Sequence, residues 1–263
     1  MDWSALSALQ RNAPVLEPGH VWLAGAGPGD PGLLTFETLA GIAQADVIVH
    51  DALVDARVLA LAPKTARLEF AGKRGGKPSA TQDDISTRLV ELARGHERVL
   101  RLKGGDPCIF GRGGDEAMAL AAAGVPYRIV PGVTAGLAAL TAASIPATMR
   151  GVNQAVILAA GHAAAETDRI DWEALAATGQ PLVLYMAMRN LDEIAAALQR
   201  GGLSGRTPAA AIAAATTANE RIVITTLERL ASDIRDSGLE PPAVVVVGEI
   251  VGVRNRLLGR APS

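Results

Sequence analysis

Short apolar segments alternate with amphipathic segments along the chain, and this alternation most constrains its fold. The first apolar segment, Val21–Gly25, is followed by a helical pattern at Leu33–Gln44 and a second apolar segment at Asp46–His50. Strand, helix and strand in this order favour a parallel sheet covered by helices. The sequence therefore predicts an α/β fold. Further strands before residue 135 are predicted at Arg67–Phe70, Arg98–Leu102 and Tyr127–Val130, with helices from Thr81, over Asp115–Ala123 and after Pro131-Gly132.

The alternation breaks at residues 144–153, where the sequence SIPATMRGVN contains both Pro and Gly. We interpret this segment as a linker between two α/β domains, 20–143 and 154–263, and residues 1–19 as a poorly ordered N-terminal leader. Strands 221–225 and 243–247 can pair antiparallel, so a mixed sheet is expected in the second domain. The strands predicted there are Ala155–Ala160, Leu182–Met186, Ala209–Ala213, Arg221–Thr225 and Ala243–Val247, and the helices are Leu191–Gln199 and Leu227–Arg235.

Composition excludes several classes of protein. Aromatic residues make up 3% of the 263 residues and the formal charge is −2, which argues against nucleic-acid binding by base stacking. The one cysteine, Cys108, excludes an internal disulfide framework and a multi-thiolate metal site. We expect no bound metal of this kind. The sequence contains neither a signal peptide nor an apolar segment long enough to span a membrane. We therefore expect a cytoplasmic protein.

Two glycine-rich segments follow predicted strands, where open α/β sheets bind their ligands. In the first, GAGPGDPG at residues 25–32, the prolines fall inside the turn and disfavour a dinucleotide fingerprint, leaving a structural turn as the alternative. The second, KGGDPCIFGRGGD at residues 103–115, lacks the Gly-Lys-Ser/Thr ending of a phosphate-binding P-loop. Within it, Cys108 is interpreted as a small packed hydrophobic residue in preference to a catalytic thiol.

Positive charge is concentrated between residues 72 and 112. This segment carries nine Lys/Arg against five Asp/Glu, whereas the rest of the chain carries 16 against 22. It includes the loop GKRGGKP at residues 72–78. A basic loop beside glycine-rich loops suits a polycarboxylate or phosphate ligand, because arginine binds oxyanions through paired hydrogen bonds. Part of the excess, notably Arg88 and Arg94, is expected on the solvated face of a helix.

Six segments together resemble the tetrapyrrole methylase superfamily over roughly residues 20–250. They are VWLAGAGPGDPGLLT, ADVIVHDALV, FAGKRGG, RLKGGDPCIFGRGGDEA, VPGVTAGLAA and SIPATMRG. The resemblance implies a tetrapyrrole methylase fold of two α/β domains, with S-adenosyl-L-methionine bound in the cleft between them, and a homodimer. It also implies two methyl transfers to uroporphyrinogen III, at C2 and C7, which yield precorrin-2 and S-adenosyl-L-homocysteine in cobalamin or sirohaem biosynthesis.

The resemblance also implies which residues form the site. Asp51 corresponds to an acid/base carboxylate and Lys73 to a proton donor, and Arg112 is a further candidate for handling the proton. From the residues alone, Asp51 is interpreted as a helix cap and Lys73 as a solvated charge. The cofactor contacts implied are Pro28, Gly104, Gly105, Asp106, Ile109, Thr134, Ala135, Met186 and Ala215. A core methionine is the alternative for Met186.

Arg112, Asp115 and Arg150 correspond to positions that face the tetrapyrrole. The arginines would bind its carboxylates, and Asp115 would orient Arg112 or accept a pyrrole N–H. His162 also matches a Gly-His pair of the family, and we interpret it as structural. The sequence departs from the family pattern at His50, where Tyr is frequent, at Asp115, where Glu is commoner, and at Cys108-Ile109, where bulkier apolar residues are usual.

Two alternatives to this function stay open. One is a sibling enzyme that methylates a later corrin precursor, a diphthamide precursor or ribosomal RNA, since siblings share the first glycine loop and the GGDP turn. The other is a ligand-binding homologue without catalysis. The segments GKRGG, FGRGG and ATMRG favour uroporphyrinogen III as the substrate, and the presence of Asp51, Lys73 and Arg112 favours an enzyme.

Overall fold

The computed structural model describes residues 4–71, 82–162 and 170–259. The chain divides into two compact units, Met1–Ala135 and Gly136–Ser263, hereafter the N-terminal and C-terminal units. This division precedes the linker expected at residues 144–153, and the predicted domain bounds stay a prediction. Among the described residues, no helix combines the length and the apolar composition needed to cross a membrane.

The N-terminal unit contains a parallel five-stranded sheet in the order β3-β2-β4-β1-β5. Apolar clusters cover both faces of the sheet, which is why β1 and β2 are almost continuously apolar. The strands are β1 (Val21–Gly25), β2 (Val47–His50), β3 (Arg67–Phe70), β4 (Val99–Lys103) and β5 (Tyr127–Val130). The helices are α1 (Ser4–Arg11), α2 (Phe36–Gln44), α3 (Ala56–Leu59), α4 (Gln82–Arg94) and α5 (Gly113–Ala122).

Helix α2 begins later than the sequence predicts. Residues Pro31–Leu33 form a short 3-10 turn, in which the Asp30 carboxylate accepts a hydrogen bond from the Gly32 N–H. The helix then starts after Thr35, whose hydroxyl accepts from the Thr38 N–H at 3.2 Å. A Thr N-cap satisfies one of the unpaired amides of the first turn, and this local bond sets the start of the helix.

The expectation of a poorly ordered leader is wrong for residues 4–19. Helix α1 lies in this segment, and Leu16 is fully buried in the core beside the sheet. The side chain of Gln44 fixes the segment: its Oε1 accepts from the Leu16 N–H at 3.0 Å, and its Nε2 donates to the Pro14 carbonyl at 3.1 Å. These contacts span about 30 positions along the chain, so local sequence patterns do not predict them.

The C-terminal unit contains a mixed five-stranded sheet in the order β6-β7-β10-β8-β9, which confirms the expected mixed sheet. Strands β6 and β7 are parallel, and the remaining pairs are antiparallel. The strands are β6 (Ile157–Ala160), β7 (Leu182–Tyr185), β8 (Pro208–Ala213), β9 (Arg221–Thr226) and β10 (Ala243–Val247). The helices are α6 (Ala135–Ala142), which starts at the division, α7 (Trp172–Ala177), α8 (Leu191–Arg200), α9 (Leu230–Ser237) and α10 (Val253–Leu257).

The predicted pairing of β9 with β10 is wrong, because β8 lies between them and pairs with both. Strand β10 reads Ala-Val-Val-Val-Val and its four valines are buried, as in a strand with neighbours on both sides. Strand β9 is only partly buried and lies at the edge of the sheet. Both strands are antiparallel to β8 and therefore run parallel to each other, so the predicted direction is wrong as well.

Candidate active site

Three loops meet at the carboxyl end of the parallel sheet, after β1, β4 and β5. Gly27 and Gly105 exchange two backbone hydrogen bonds, of 3.1 and 2.7 Å, which join the loop after β1 to the loop after β4. The Gly132 N–H donates to Asp106 Oδ2 at 3.0 Å and joins the loop after β5. The structure thereby brings together the loops that carry Pro28, the Gly104-Gly105-Asp106 turn and Thr134.

Glycines allow these loops to lie in direct backbone contact. A Cβ atom at Gly25 would lie 2.5 Å from the Gly105 carbonyl oxygen and 2.6 Å from the Gly132 Cα. Gly105 has φ +72°, a left-handed conformation that glycine adopts without strain. A side chain at Gly25 would therefore push apart the backbones of two loops. The backbones of Gly25, Gly105 and Gly132 therefore form a surface of peptide groups, hereafter the glycine floor, which suits the close approach of a polar ligand.

Asp106 fixes this floor. Its Oδ1 accepts from the Cys108 N–H at 2.8 Å and its Oδ2 accepts from the Gly132 N–H. The carboxylate is half-buried and each oxygen has a second lone pair, so a ligand donor can still reach it. Ile109 and Pro28 are also half-buried, and Thr134 is buried at the start of the segment that leads into α6. Cys108, expected to be packed, is exposed.

Asp51 follows β2 directly and is not a helix cap. Its Oδ1 accepts from the Leu53 N–H at 2.9 Å, whereas Asp55 caps the short helix α3. Its Oδ2 lies 3.9 Å from Arg101 Nη2, and the side chain is 27% exposed. A Cβ at Gly104 would lie 2.6 Å from Leu53 Cβ, so the Asp51 loop packs against the glycine turn. The structure therefore places a partly exposed carboxylate at the carboxyl end of the same sheet.

A buried cluster of charged side chains lies below the carboxyl end of the sheet. The sequence analysis did not predict it. Arg101 and Lys103 on β4 are each 3% exposed, and both donate to Oε1 of the fully buried Glu116 on α5, at 3.1 and 2.9 Å. Burial, followed by the neighbouring Arg101 charge, lowers the pKa of Lys103. Counting these two residues in a solvent-facing basic excess was wrong. The alternation of Val99, Arg101 and Lys103 on one face of a buried strand was the signal available in the sequence.

The predicted tetrapyrrole contacts are exposed. Arg112 Nε donates to Asp115 Oδ2 at 2.9 Å, with the two side chains 61% and 47% exposed, so Asp115 orients Arg112. Arg112 has φ +58° and immediately precedes α5. Arg150 is exposed in the C-terminal unit. Lys73 and the rest of the basic loop at 72–78 lie outside the described residues.

In the C-terminal unit, unusual backbone conformations mark the ends of β7 and β8. Met186 has φ +54°, and Ala214 and Thr216, on either side of Ala215, have φ +46° and +66°. Left-handed conformations at non-glycine residues cost on the order of 1 to 3 kcal/mol and cluster at functional sites. Met186 is 46% exposed, so the alternative of a core methionine is wrong. Met186 has a left-handed backbone conformation and Ala215 lies between two residues that have one, and both are predicted to contact the cofactor.

Three hydrogen bonds fix the neighbourhood of Met186. The preceding residue, Tyr185, accepts a hydrogen bond at its hydroxyl from the Gly136 N–H at 2.9 Å, in the first turn of α6. The Tyr185 carbonyl accepts from the Gly161 N–H at 2.7 Å, and Asn190 Nδ2 donates to the Gly161 carbonyl at 2.8 Å. His162, the next residue, is exposed. Among the described residues, no three His, Cys, Asp or Glu side chains are grouped to bind a metal ion.

The fold and the site define an α/β protein of two units. In the N-terminal unit, glycine-rich loops follow the strands of a parallel sheet. In the C-terminal unit, turns with left-handed residues follow two strands of a mixed sheet. The family model for Tetrapyrrole (Corrin/Porphyrin) Methylases matches residues 20–231. The chain therefore belongs to the tetrapyrrole methylase family, which confirms the resemblance seen in the sequence.

Individual relatives agree with the family assignment. The chain is 55% identical over 246 residues to a uroporphyrinogen-III C-methyltransferase of Sinorhizobium sp., covering 93% of this chain and 88% of the relative. It also matches siroheme synthases, such as that of Methylococcus capsulatus, with 45% identity over 91% of this chain, but it spans only about half (51%) of that protein.

Solved structures confirm the fold class. The native uroporphyrin III C-methyl transferase from Thermus thermophilus has a TM-score of 0.77 and 39% identity, over 89% of this chain and 99% of that chain. The same enzyme complexed with S-adenyl homocysteine gives a TM-score of 0.75 and 38% identity, with the same coverage.

Proposed function

We propose that this protein is an S-adenosylmethionine-dependent methyltransferase that methylates uroporphyrinogen III twice, at C2 and C7, to give precorrin-2. The observation that carries the proposal is the 55% identity to a uroporphyrinogen-III C-methyltransferase along nearly the whole length of both chains. The products are precorrin-2 and S-adenosylhomocysteine, and the reaction serves cobalamin or sirohaem biosynthesis.

The glycine floor fits the cofactor, because Gly104 and Gly132 let the loop backbones pack together without intervening side chains and so present peptide groups to a polar ligand. When bound, S-adenosylmethionine supplies a methyl group on a positively charged sulfur. We assign to it Pro28, Gly104, Gly105, Asp106, Ile109, Thr134 and Ala135 in the N-terminal unit and Met186 and Ala215 in the C-terminal unit. The half-buried Asp106 carboxylate accepts hydrogen bonds from its amino or hydroxyl groups, and the exposed Met186 side chain packs against its adenine.

Asp51 is the proposed proton acceptor. When a pyrrole carbon attacks the methyl group, the macrocycle becomes cationic and must lose a proton to a base. Asp51 is a partly exposed carboxylate whose Oδ1 is fixed by the Leu53 N–H, so one oxygen is oriented while the group stays accessible. Lys73 is the proposed proton donor, and Arg112 is a further candidate for handling the proton.

The substrate is a flat macrocycle that carries carboxylates on its rim. Arg112 and Arg150 are exposed cations, and Arg112 is already oriented by its 2.9 Å bond to Asp115. Guanidinium groups bind carboxylates through two parallel hydrogen bonds, which gives both affinity and direction. We therefore assign Arg112, Asp115 and Arg150 to the tetrapyrrole.

We further infer a homodimer in the cytoplasm. Tyr127 and Ile129 on the edge strand β5 are 42% and 40% exposed, and exposed apolar side chains on a sheet edge support an interface. The exposed thiol of Cys108 is consistent with a reducing compartment. Sedimentation velocity on the full chain tests the dimer, and Tyr127→Lys with Ile129→Lys is expected to shift it to monomer.

The proposed activity is tested by anaerobic incubation with uroporphyrinogen III and S-adenosylmethionine labelled in its methyl group. Label is expected in the tetrapyrrole fraction, and Arg112→Gln with Arg150→Gln is expected to raise the KM for the tetrapyrrole while leaving cofactor affinity unchanged. Transfer to a later corrin precursor but not to uroporphyrinogen III would favour a sibling enzyme. Cofactor binding without any transfer would favour a ligand-binding homologue.

A further inference from the structure

We infer that Arg101 is a positioning residue for Asp51, and that Glu116, itself bound by Lys103, holds Arg101 in place. The inference rests on the proposed function, in which Asp51 accepts the proton. It assigns a role to a buried charged cluster that the cofactor and substrate contacts do not use.

The guanidinium of Arg101 is held from several sides. Its Nε donates to Glu116 Oε1 at 3.1 Å, and its Nη1 donates to the carbonyls of Val49 and Leu102 at 3.4 and 3.3 Å. The remaining nitrogen, Nη2, lies 3.9 Å from Asp51 Oδ2. A buried guanidinium fixed at two of its nitrogens has little freedom, so the position of the third is set before any ligand binds.

Glu116 is the anchor of this arrangement. Its Oε1 accepts from Arg101, from Lys103 Nζ at 2.9 Å and from Gln82 Nε2 at 3.1 Å. Its Oε2 is buried and has no hydrogen-bond partner in the described part of the chain. Since Lys103 precedes the glycine turn and Glu116 lies in the first turns of α5, the cluster also ties together the two ends of the loop 104–112.

Stability alone does not explain charges at this place. Apolar side chains of similar volume commonly replace a buried ion group without loss of stability, because desolvation offsets the attraction between the charges. The cluster nevertheless lies at the carboxyl end of β4, next to the one carboxylate assigned to proton transfer. Asp51 is fixed at Oδ1 by the Leu53 N–H and faces Arg101 at Oδ2. Oδ1 of the proposed base is therefore fixed by a hydrogen bond, and Oδ2 lies beside the positive charge of a guanidinium that the protein holds in place.

Arginine suits this role better than lysine. Its planar fork presents nitrogens in fixed directions, so one side chain can bond Glu116 and face Asp51 at the same time. Arg101→Lys keeps the positive charge beside Glu116 and so preserves the buried ion pair, but it lacks the second nitrogen. This variant separates the orientation of Asp51 from the stability of the cluster.

The test is a double-mutant cycle of Arg101→Lys and Asp51→Asn in the full-length protein. Arg101→Lys is expected to lower kcat roughly tenfold to a hundredfold, since misplacing a reacting group by about 1 Å costs up to this much. Asp51→Asn is expected to lower kcat by about a hundredfold or more, since it removes the base. The KM for S-adenosylmethionine should change little. In the double variant the loss should equal that of Asp51→Asn alone, because Arg101 acts through Asp51. Losses that multiply, or an Arg101→Lys variant with the wild-type kcat, would overturn the inference.

A matched control and a second readout separate this role from a structural one. Ile42→Ala removes a buried side chain from α2, in the apolar cluster that packs against Leu100 and Leu102 on the opposite face of β4, so it destabilises the unit but should keep kcat at a temperature where it is folded. The ¹³C NMR signal of the Asp51 carboxyl should move in Arg101→Lys and not in Ile42→Ala, whether or not uroporphyrinogen III is the substrate. An unmoved signal contradicts the positioning role, whereas absent turnover by the wild type with a moved signal contradicts only the proposed function.

Discussion

The backbone N–H of Gly132 donates to Asp106 Oδ2 at 3.0 Å, and this bond joins the loop after β5 to the loop after β4. The same carboxylate accepts from the Cys108 N–H through Oδ1. One side chain thus fixes two of the three loops that carry the candidate cofactor contacts. Asp106 is therefore expected to hold these two loops together as well as to contact a ligand.

Asp106→Asn should lower the free energy of unfolding by about 1 to 3 kcal/mol, because the new amide has one acceptor oxygen and turns an NH₂ group toward a backbone N–H. Urea denaturation measures the change. Asp115→Asn is the matched control, since it weakens an exposed ion pair with Arg112 and should cost less than about 1 kcal/mol. Equal losses in the two variants would show that Asp106 does not hold the loops.

Gly25→Ala and Gly114→Ala should have opposite effects on stability. A Cβ at Gly25 overlaps the backbones of Gly105 and Gly132, so the variant should lose about 1 to 3 kcal/mol. A Cβ at Gly114 meets nothing within 4 Å, and alanine in helix α5 should add up to about 1 kcal/mol. Thermal unfolding of both variants checks the pair. A stable Gly25→Ala protein with unchanged cofactor affinity would rule out tight contact between the loops.

Tyr185→Phe should lower the free energy of unfolding by about 1 to 3 kcal/mol, because the Gly136 N–H in the first turn of α6 loses its acceptor. The only other tyrosine, Tyr127, is 42% exposed, and Tyr127→Phe should change stability by less than about 0.5 kcal/mol. Chemical denaturation compares the two. Similar stability of both variants would mean that the Tyr185 hydroxyl does not secure α6.

The stability of the protein should depend on alkaline pH through Lys103. Burial, followed by the charge of Arg101, lowers the pKa of Lys103 below its ordinary 10.5. Between the folded pKa and 10.5 the unfolded chain binds more protons than the folded one, so the free energy of unfolding rises with pH in this window. Lys103→Met removes this contribution, while Glu116 keeps Arg101 and Gln82 as donors. Thermal midpoints measured against pH should therefore rise less in the variant than in the wild type, and parallel profiles would contradict the buried, depressed lysine.

Local patterns in the sequence predicted most of the strands. Strands β3, β5 and β10 begin and end where predicted, because Pro or Gly lies within a few residues of each of their ends. Their neighbours were harder to predict. The period of a strand shows which side chains share a face, but it does not show that β8 separates β9 from β10. The burial of Leu16 by contacts with Gln44 was missed for the same reason, since the partners are distant in the chain.

The candidate site was predicted in outline. The glycine loops were expected at strand ends, and the structure joins Gly27 to Gly105 and Asp106 to Gly132 there. The buried partners were not foreseen, because formal charge gives no sign that Arg101 and Lys103 point inward toward Glu116. Whether Asp51, Arg112 and Arg150 perform their assigned roles stays a prediction.

Two methyl transfers to carbon define the proposed reaction, and the mass of the product reports on both. Uroporphyrinogen III incubated anaerobically with S-adenosylmethionine that carries a CD₃ group should give a tetrapyrrole that has gained two CD₃ groups and lost two protons. Mass spectrometry with fragmentation would locate them at C2 and C7. A protein that binds the cofactor yet leaves the mass of uroporphyrinogen III unchanged would contradict the account.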